Sequence, residues 1–176
     1  LASVSALEQL KGAATSPVAL DPLQWLSALS YHLSPSSGDA LIQRLSLPNE
    51  WATVVRDTIE LRGRESRLVA LSMVPSQVAE ILDGIAPAAT AAVSLVTESP
   101  QVELLLGRYL EEYRFQIPAL NGRDLQRMGV PAGAMVGRIL RTLRRAKLDG
   151  KVGSEEEERE LVKSLLASHG GQESDG

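Results

Sequence analysis

Two-metal phosphoryl chemistry needs carboxylates spaced one residue apart on a strand, so that both reach the same pair of cations. No Asp-x-Asp or Asp-x-Glu pair stands in a stretch of strand character here. The densest acidic run, Glu155–Glu158, opens a helical pattern, where carboxylates meet the positive end of the helix dipole. All four are therefore expected to be an exposed helix start. No Gly-x-x-x-x-Gly-Lys-Ser/Thr loop is present to cradle a phosphate, and no serine sits in a Gly-x-Ser-x-Gly elbow. The two histidines, His32 and His169, form no His-Asp dipeptide. His32 falls near a helix C-terminus, where the dipole favours an imidazole for structural reasons. The absence of cysteine removes disulfides, thiolate metal sites and thiol nucleophiles. The expectation is no catalytic residue and no metal ligand in this chain.

The residues that can do something other than pack are cations. Between Asn121 and Lys151 stand Arg123, Arg127, Arg138, Arg141, Arg144, Arg145, Lys147 and Lys151, against Asp124 and Asp149. Eight cations and two carboxylates give this stretch +6, which leaves −10 on the rest of a chain whose total is −4. An asymmetry of this kind points to phosphate contact rather than to uniform surface charge. At about 100° per residue, Val136, Ile139, Leu140, Leu143 and Ala146 fall on one side of a helix. Arg138, Arg141 and Arg145 fall on the other. Arg144 lies nearer the apolar boundary, and Lys147 points toward the apolar side, where its methylene stem can snorkel. The alternative for the arginines is a solvated face, since cations are favoured near a helix C-terminus in any case.

The elements that must position these side chains are helices. Apolar residues recur at helical spacing through nearly the whole chain, and no stretch alternates with period two. Asp21-Pro22 starts a helix, with Pro35 and Gly38 ending it. A short helix over Ala40–Leu45 stops before Pro48. A longer one follows through Leu61, with Gly63 as a break or bend. Pro75-Ser76 opens a helix that ends at Gly84, Pro87 opens an Ala-rich one, and Ser99-Pro100 opens a third that Ile117-Pro118 closes. After this, Asn121–Met128 reads as a short helix, and Gly129–Gly133 as a tight turn. The basic helix then runs to about Leu148. Ser154 with Glu157 makes a capping box for a last helix. The sequence therefore predicts an all-α fold: a body of short helices over 1–118, a helical tail over 119–169, and a disordered end over 170–176. No fixed repeat period is present.

Composition agrees with this class. Apolar residues are 44% of the 176, enough for a core, while aromatics are only 3%, so the core must be Leu, Ala, Val and Ile. No apolar run reaches the roughly 18–20 residues that span a bilayer, and no signal peptide is evident. A cytoplasmic location is expected. The chain opens on Leu1 in mid-pattern and reads as a piece excised from something longer.

The series Leu120-Asn121-Gly122-Arg123-Asp124-Leu125, then Met128-Gly129-Val130-Pro131-Ala132-Gly133, then Gly137-Arg138-Ile139-Leu140 and Leu143, resembles the tail region of bacterial CCA-adding tRNA nucleotidyltransferases and poly(A) polymerases. That family shows a Gly-x-Asp-Leu step, a Gly-x-x-Pro-Gly-Pro turn and a Gly-x-x-Leu step. Here Ala132 and Ala134 stand where prolines are common. The resemblance covers about 45 residues; the 118 upstream match only as short helices with a Trp-Leu start. It implies a body and tail that hold tRNA by its acceptor stem and elbow, in RNA 3′-end processing. It also places Mg²⁺ and CTP or ATP in a catalytic head that this stretch lacks, so no cofactor and no catalytic residue carries over. The RNA-contacting residues it suggests are Arg123, Arg127, Arg138, Arg141 and Arg145.

Two other readings compete. A structural helical dimerisation or protein-interaction module accounts for the abundant Leu and Ala and the acidic remainder. A DNA-reading helix-turn-helix accounts for the short helix, turn and basic helix, but fits a long basic helix and a Pro-rich turn less well.

Overall fold

Proline at the first helical position loses nothing, because its missing N–H would have no partner there. Five helices begin on one. The computed structural model describes residues 21–70 and 74–170, and these hold nine α-helices and no strand. They are α1 (Pro22–Ser30), α2 (Pro35–Leu45), α3 (Asn49–Val69), α4 (Pro75–Leu82), α5 (Pro87–Val96), α6 (Pro100–Glu111), α7 (Gly122–Arg127), α8 (Ala134–Leu148) and α9 (Glu155–Gly170). A 3₁₀ turn covers Tyr113–Phe115. Asp21 closes a capping box with Gln24, and Ser34 and Ser99 cap α2 and α6 through their hydroxyls. The fold is all-α, as the periodicity predicts. Among the described residues no single helix is long and apolar enough to cross a membrane.

Four punctuating residues act differently from what their types suggest. Pro35 and Gly38 do not end α1. Ser34-Pro35 starts α2, and Gly38 lies buried inside it, where an added Cβ would collide with Ile59 Cδ1. The glycine is there for close approach, not for a break. Gly63 does not interrupt α3, which runs unbroken for 21 residues. A helical glycine costs about 1 kcal/mol, which is small beside the burial of Val54, Val55, Leu61 and Leu68 on the same helix. Finally, α6 ends at Glu111 rather than at Pro118. Glu112 leaves helical geometry, and the buried Tyr113 begins the 3₁₀ turn.

The chain divides into two compact units: Leu1–Met73 with Gln77–Glu112, and Val74–Ser76 with Tyr113–Gly176. The division falls at Glu112/Tyr113, where the sequence reading sets it after Pro118. Residues 1–20 and 171–176 lie outside the described residues; Gly170, the first of the stretch expected to be disordered, ends α9.

In the first unit α3 packs against α1, α2, α5 and α6. Ala89 and Ala92 of α5 are fully buried and keep its neighbours close, and Val93, Val96, Val102 and Leu106 fill the space around them. The interior also holds hydroxyls, and each is bonded. The Thr58 hydroxyl donates to Val54 O at 2.7 Å, which leaves Ser27 to donate to Thr58 Oγ1 at 2.5 Å. Tyr31 donates to Glu65 Oε1 at 2.7 Å, and Thr97 donates to the other oxygen at 3.2 Å. Burial, then the Glu65 carboxylate, pushes the Tyr31 phenol well above its usual range.

The second unit is built on Leu120, Leu125, Val130, Ile139, Leu143 and Val162, with Met128, Val136 and Leu166 among the side chains at the edge.

Candidate nucleic-acid interface

The basic helix is placed by two glycine turns. Asn121 and Asp124 form a capping box at the start of α7. At its other end Gly129, at φ +92°, closes the helix. Its N–H donates to Gln126 O at 3.0 Å, and the Val130 N–H donates to Leu125 O at 3.0 Å. This is a Schellman closure, with Val130 buried beside Leu125 as such closures favour. Gly133, at φ +105°, then starts α8 with no side-chain cap. The same device recurs at the far end of α8: Gly150 is at φ +69°, and the Lys151 N–H donates to Ala146 O at 2.8 Å. Gly122 brings α7 onto α8 tightly; a Cβ there would lie 3.3 Å from Val136 Cγ1.

The partition of α8 is the one its spacing predicts. Ile139, Leu143 and Ala146 are buried, Val136 and Leu140 are half-buried, and Arg138, Arg141 and Arg145 are exposed. Arg123 and Arg127 of α7 are exposed as well. The Arg127 side chain, 76% exposed, pairs with Asp124 at 3.2 Å. No carboxylate of the described residues pairs with the guanidinium groups of Arg123, Arg138 and Arg141. The structure thus gathers three of the five predicted residues on one helix face and sets the other two on the preceding helix.

Two cations of α8 do different work. Arg144 donates from Nε to the carbonyl of Gln116 at 3.1 Å, tying the segment after the 3₁₀ turn to the helix. Lys147 does not simply snorkel: its Nζ lies 3.7 Å from Glu158 Oε1.

Glu158 corrects the reading of the acidic run. Glu155–Glu157 are exposed, but Glu158 is 1% exposed. Its two oxygens accept the N–H groups of Ala119 and Leu120, each at 3.0 Å. It is the fourth residue of the run and falls one turn after Ser154, on the side that Val162 also buries. Helical spacing from Val162 back to Glu158 was the available signal; charge concealed it. Ser154 and Glu157 do form the capping box, with the Ser154 N–H on Glu157 Oε2 and the Glu157 N–H on Ser154 Oγ, both at 3.2 Å.

The remaining residues considered for chemistry are not drawn together. His32 is exposed just past the end of α1, with its ring edge-on to Tyr31 at 4.8 Å between centroids. The His169 side chain lies outside the described residues. One feature with no counterpart in the sequence reading is the pair Arg114 and Phe115, where the guanidinium carbon stands 4.5 Å from the ring centroid. The signal for it was that Phe115 is the chain's single phenylalanine, beside an arginine.

No family model matches this chain, nor does any curated protein or solved structure to which it was compared.

Proposed function

We propose that this chain is a non-catalytic, RNA-holding region of a tRNA nucleotidyltransferase or poly(A) polymerase, and that its second unit grips the RNA backbone. The observation that carries the proposal is the division of α8. The helix docks through Ile139, Leu143 and Ala146, so Arg138, Arg141 and Arg145 are turned to solvent. Arg123 and Arg127 extend the supply of cations from α7. The start of α8 has no side-chain cap, and the positive end of a helix dipole suits a phosphate oxygen. The substrate reading, an acceptor stem and elbow of tRNA, comes from the resemblance of the Gly122–Leu143 series. So does the assignment of Mg²⁺ and CTP or ATP to a separate head.

The test is a salt titration of tRNA binding by the wild type and by Arg138→Ala/Arg141→Ala/Arg145→Ala. Each phosphate neutralised contributes a log–log slope of about −0.7 to −0.9. The triple variant is expected to bind more weakly, with a slope flatter by roughly two units, while its helicity and melting stay near those of the wild type. Equal affinity and slope would reduce the arginines to a solvated face. A second expected outcome is that the chain alone, with Mg²⁺ present, transfers no nucleotide from CTP or ATP to tRNA. Labelled tRNA above background would show that this stretch is catalytic after all.

A second reading, a dimerisation or protein-interaction module, draws on Leu29, Leu45 and Leu104, each more than half exposed in the first unit. Sedimentation across a wide concentration range decides it: a dimer that persists at low concentration, with no RNA binding, would favour this reading.

A further inference from the structure

Single exposed apolar side chains are ordinary, so exposure alone says little about Phe115. Its surroundings are less ordinary. The ring belongs to the second unit, where Leu120, Leu125 and Leu143 are buried, yet Phe115 is 62% exposed. It is also held in place. Tyr113, two residues before it, is buried, and the next carbonyl, that of Gln116, is tied to α8 by Arg144. The ring is therefore presented from a short 3₁₀ turn anchored on both sides, with little freedom left to lose on binding. A cation lies against it. Arg114 stands over it at 4.5 Å, and Arg144 lies one residue away through Gln116. On α8, Arg144 is about 40° around the helix from Leu140 and about 60° from Arg141, so the turn meets α8 where its apolar side and its arginine face adjoin.

We infer that Phe115 is a stacking platform for an unpaired base, set at the border of the arginine face. The inference rests on the RNA-holding reading and deepens it: the second unit takes a single-stranded nucleotide beside the backbone it grips. An exposed ring beside a guanidinium matches a nucleotide's two parts. The base stacks on the ring, and Arg114 faces its phosphate. Stacking of this kind accepts any base, because every base has a π-face. A protein partner fits less well, since the centres of protein interfaces are depleted in charge, and here a guanidinium lies over the ring.

The test compares two RNAs with the same stem, a blunt hairpin and one with a short single-stranded 3′ overhang. They are bound at low salt to the full chain as wild type, Phe115→Leu and Phe115→Trp, with circular dichroism checking that each variant folds. Phe115→Leu is expected to lose about tenfold in affinity for the overhang RNA and to bind the blunt RNA like the wild type. Phe115→Trp is expected to keep the affinity, and its emission above the background of Trp25 and Trp51 should be quenched by the overhang RNA alone. If the wild type binds neither RNA, the RNA-holding reading falls and the stacking site falls with it. If the wild type binds both RNAs and Phe115→Leu matches it on both, only the stacking site is overturned. Equal weakening on both RNAs, or a self-association abolished by Phe115→Leu with RNA binding intact, overturns it too.

Discussion

The two units bury polar groups with a different emphasis. In the first, most interior polar groups are hydroxyls; Ser27 bonds to Thr58 and Thr58 to Val54, while Tyr31 and Thr97 share the Glu65 carboxylate. The surrounding core of Leu, Val and Ala is extensive enough that these bonds need only satisfy the groups involved. The second unit is the smaller one, its central cluster built on Leu120, Leu125, Val130, Ile139, Leu143 and Val162. Its segments are joined over long stretches of sequence by charged groups bonded to backbone. Glu158 holds Ala119 and Leu120, Arg144 holds Gln116, and Asp149 accepts both the N–H and the hydroxyl of Ser76, at 3.0 and 2.9 Å. A small unit buries a smaller fraction of its surface, so single charge-assisted bonds, roughly twice as strong as neutral ones, weigh more in it. The same helix then carries two kinds of cation: Arg144 and Lys147 are turned to internal partners, and Arg138 and Arg141 to solvent.

The largest effect should come from breaking the most buried of these bonds. Glu158→Ala leaves two backbone N–H groups and the Lys147 ammonium without their carboxylate, and removing one partner of a buried charge pair typically costs about 3–5 kcal/mol. The second unit should unfold at lower urea than the first, and the Ala119 and Leu120 amides should lose their protection from hydrogen exchange. Glu158→Gln keeps one acceptor oxygen and should fall between the two. Unaltered protection in Glu158→Ala would remove the contrast between the units.

A middle-sized effect belongs to the first unit's own backbone-bonded carboxylate. Asp57 Oδ2 accepts the Ala86 N–H at 2.6 Å, at the start of α5. Burial holds its carboxyl above the usual range, and the Ala86 N–H pulls it only part of the way back. With the folded pKa raised, the native state holds its proton more tightly than the unfolded chain does. The stability Asp57 lends is thus fullest below the ordinary carboxylate pKa and declines as pH rises through the raised one. Asp57→Asn keeps an acceptor and loses the titration, so its stability relative to wild type should improve from pH 3 to pH 7. Asp57→Ala leaves the N–H unpaired and should cost about 1–3 kcal/mol. Parallel pH curves for wild type and Asp57→Asn would show that burial of this carboxyl has no energetic weight.

The smallest effect separates the two kinds of arginine on α8. Arg144→Ala should destabilise the second unit by about 1 kcal/mol through the lost bond to Gln116. Arg141→Ala should stay within about 0.5 kcal/mol. Chemical denaturation of the two variants side by side checks this. Equal costs would mean that Arg144 is as peripheral to the fold as Arg141.

Much of the architecture was legible because its causes are local. Asp21, Ser99, Asn121 and Ser154 cap helices by bonds to residues two or three positions away, and the two faces of α8 follow from its own periodicity. Those features, and with them the all-α class and the exposure of Arg138, Arg141 and Arg145, were determined by the sequence alone. The tertiary structure decided the rest, because the deciding partner lies far along the chain. Gly38 is a helix interior and not a stop, and its bare backbone lies against Ile59, 21 positions on. Glu158 is buried and not solvated because Ala119 and Leu120, 39 and 38 positions earlier, have N–H groups to satisfy. Arg144 has a structural partner because the turn after Tyr113 returns Gln116 to α8, and the same return leaves Phe115 in the open. Spacing along one element says which side chains share a face; only packing says which of them meets a neighbour and which meets water.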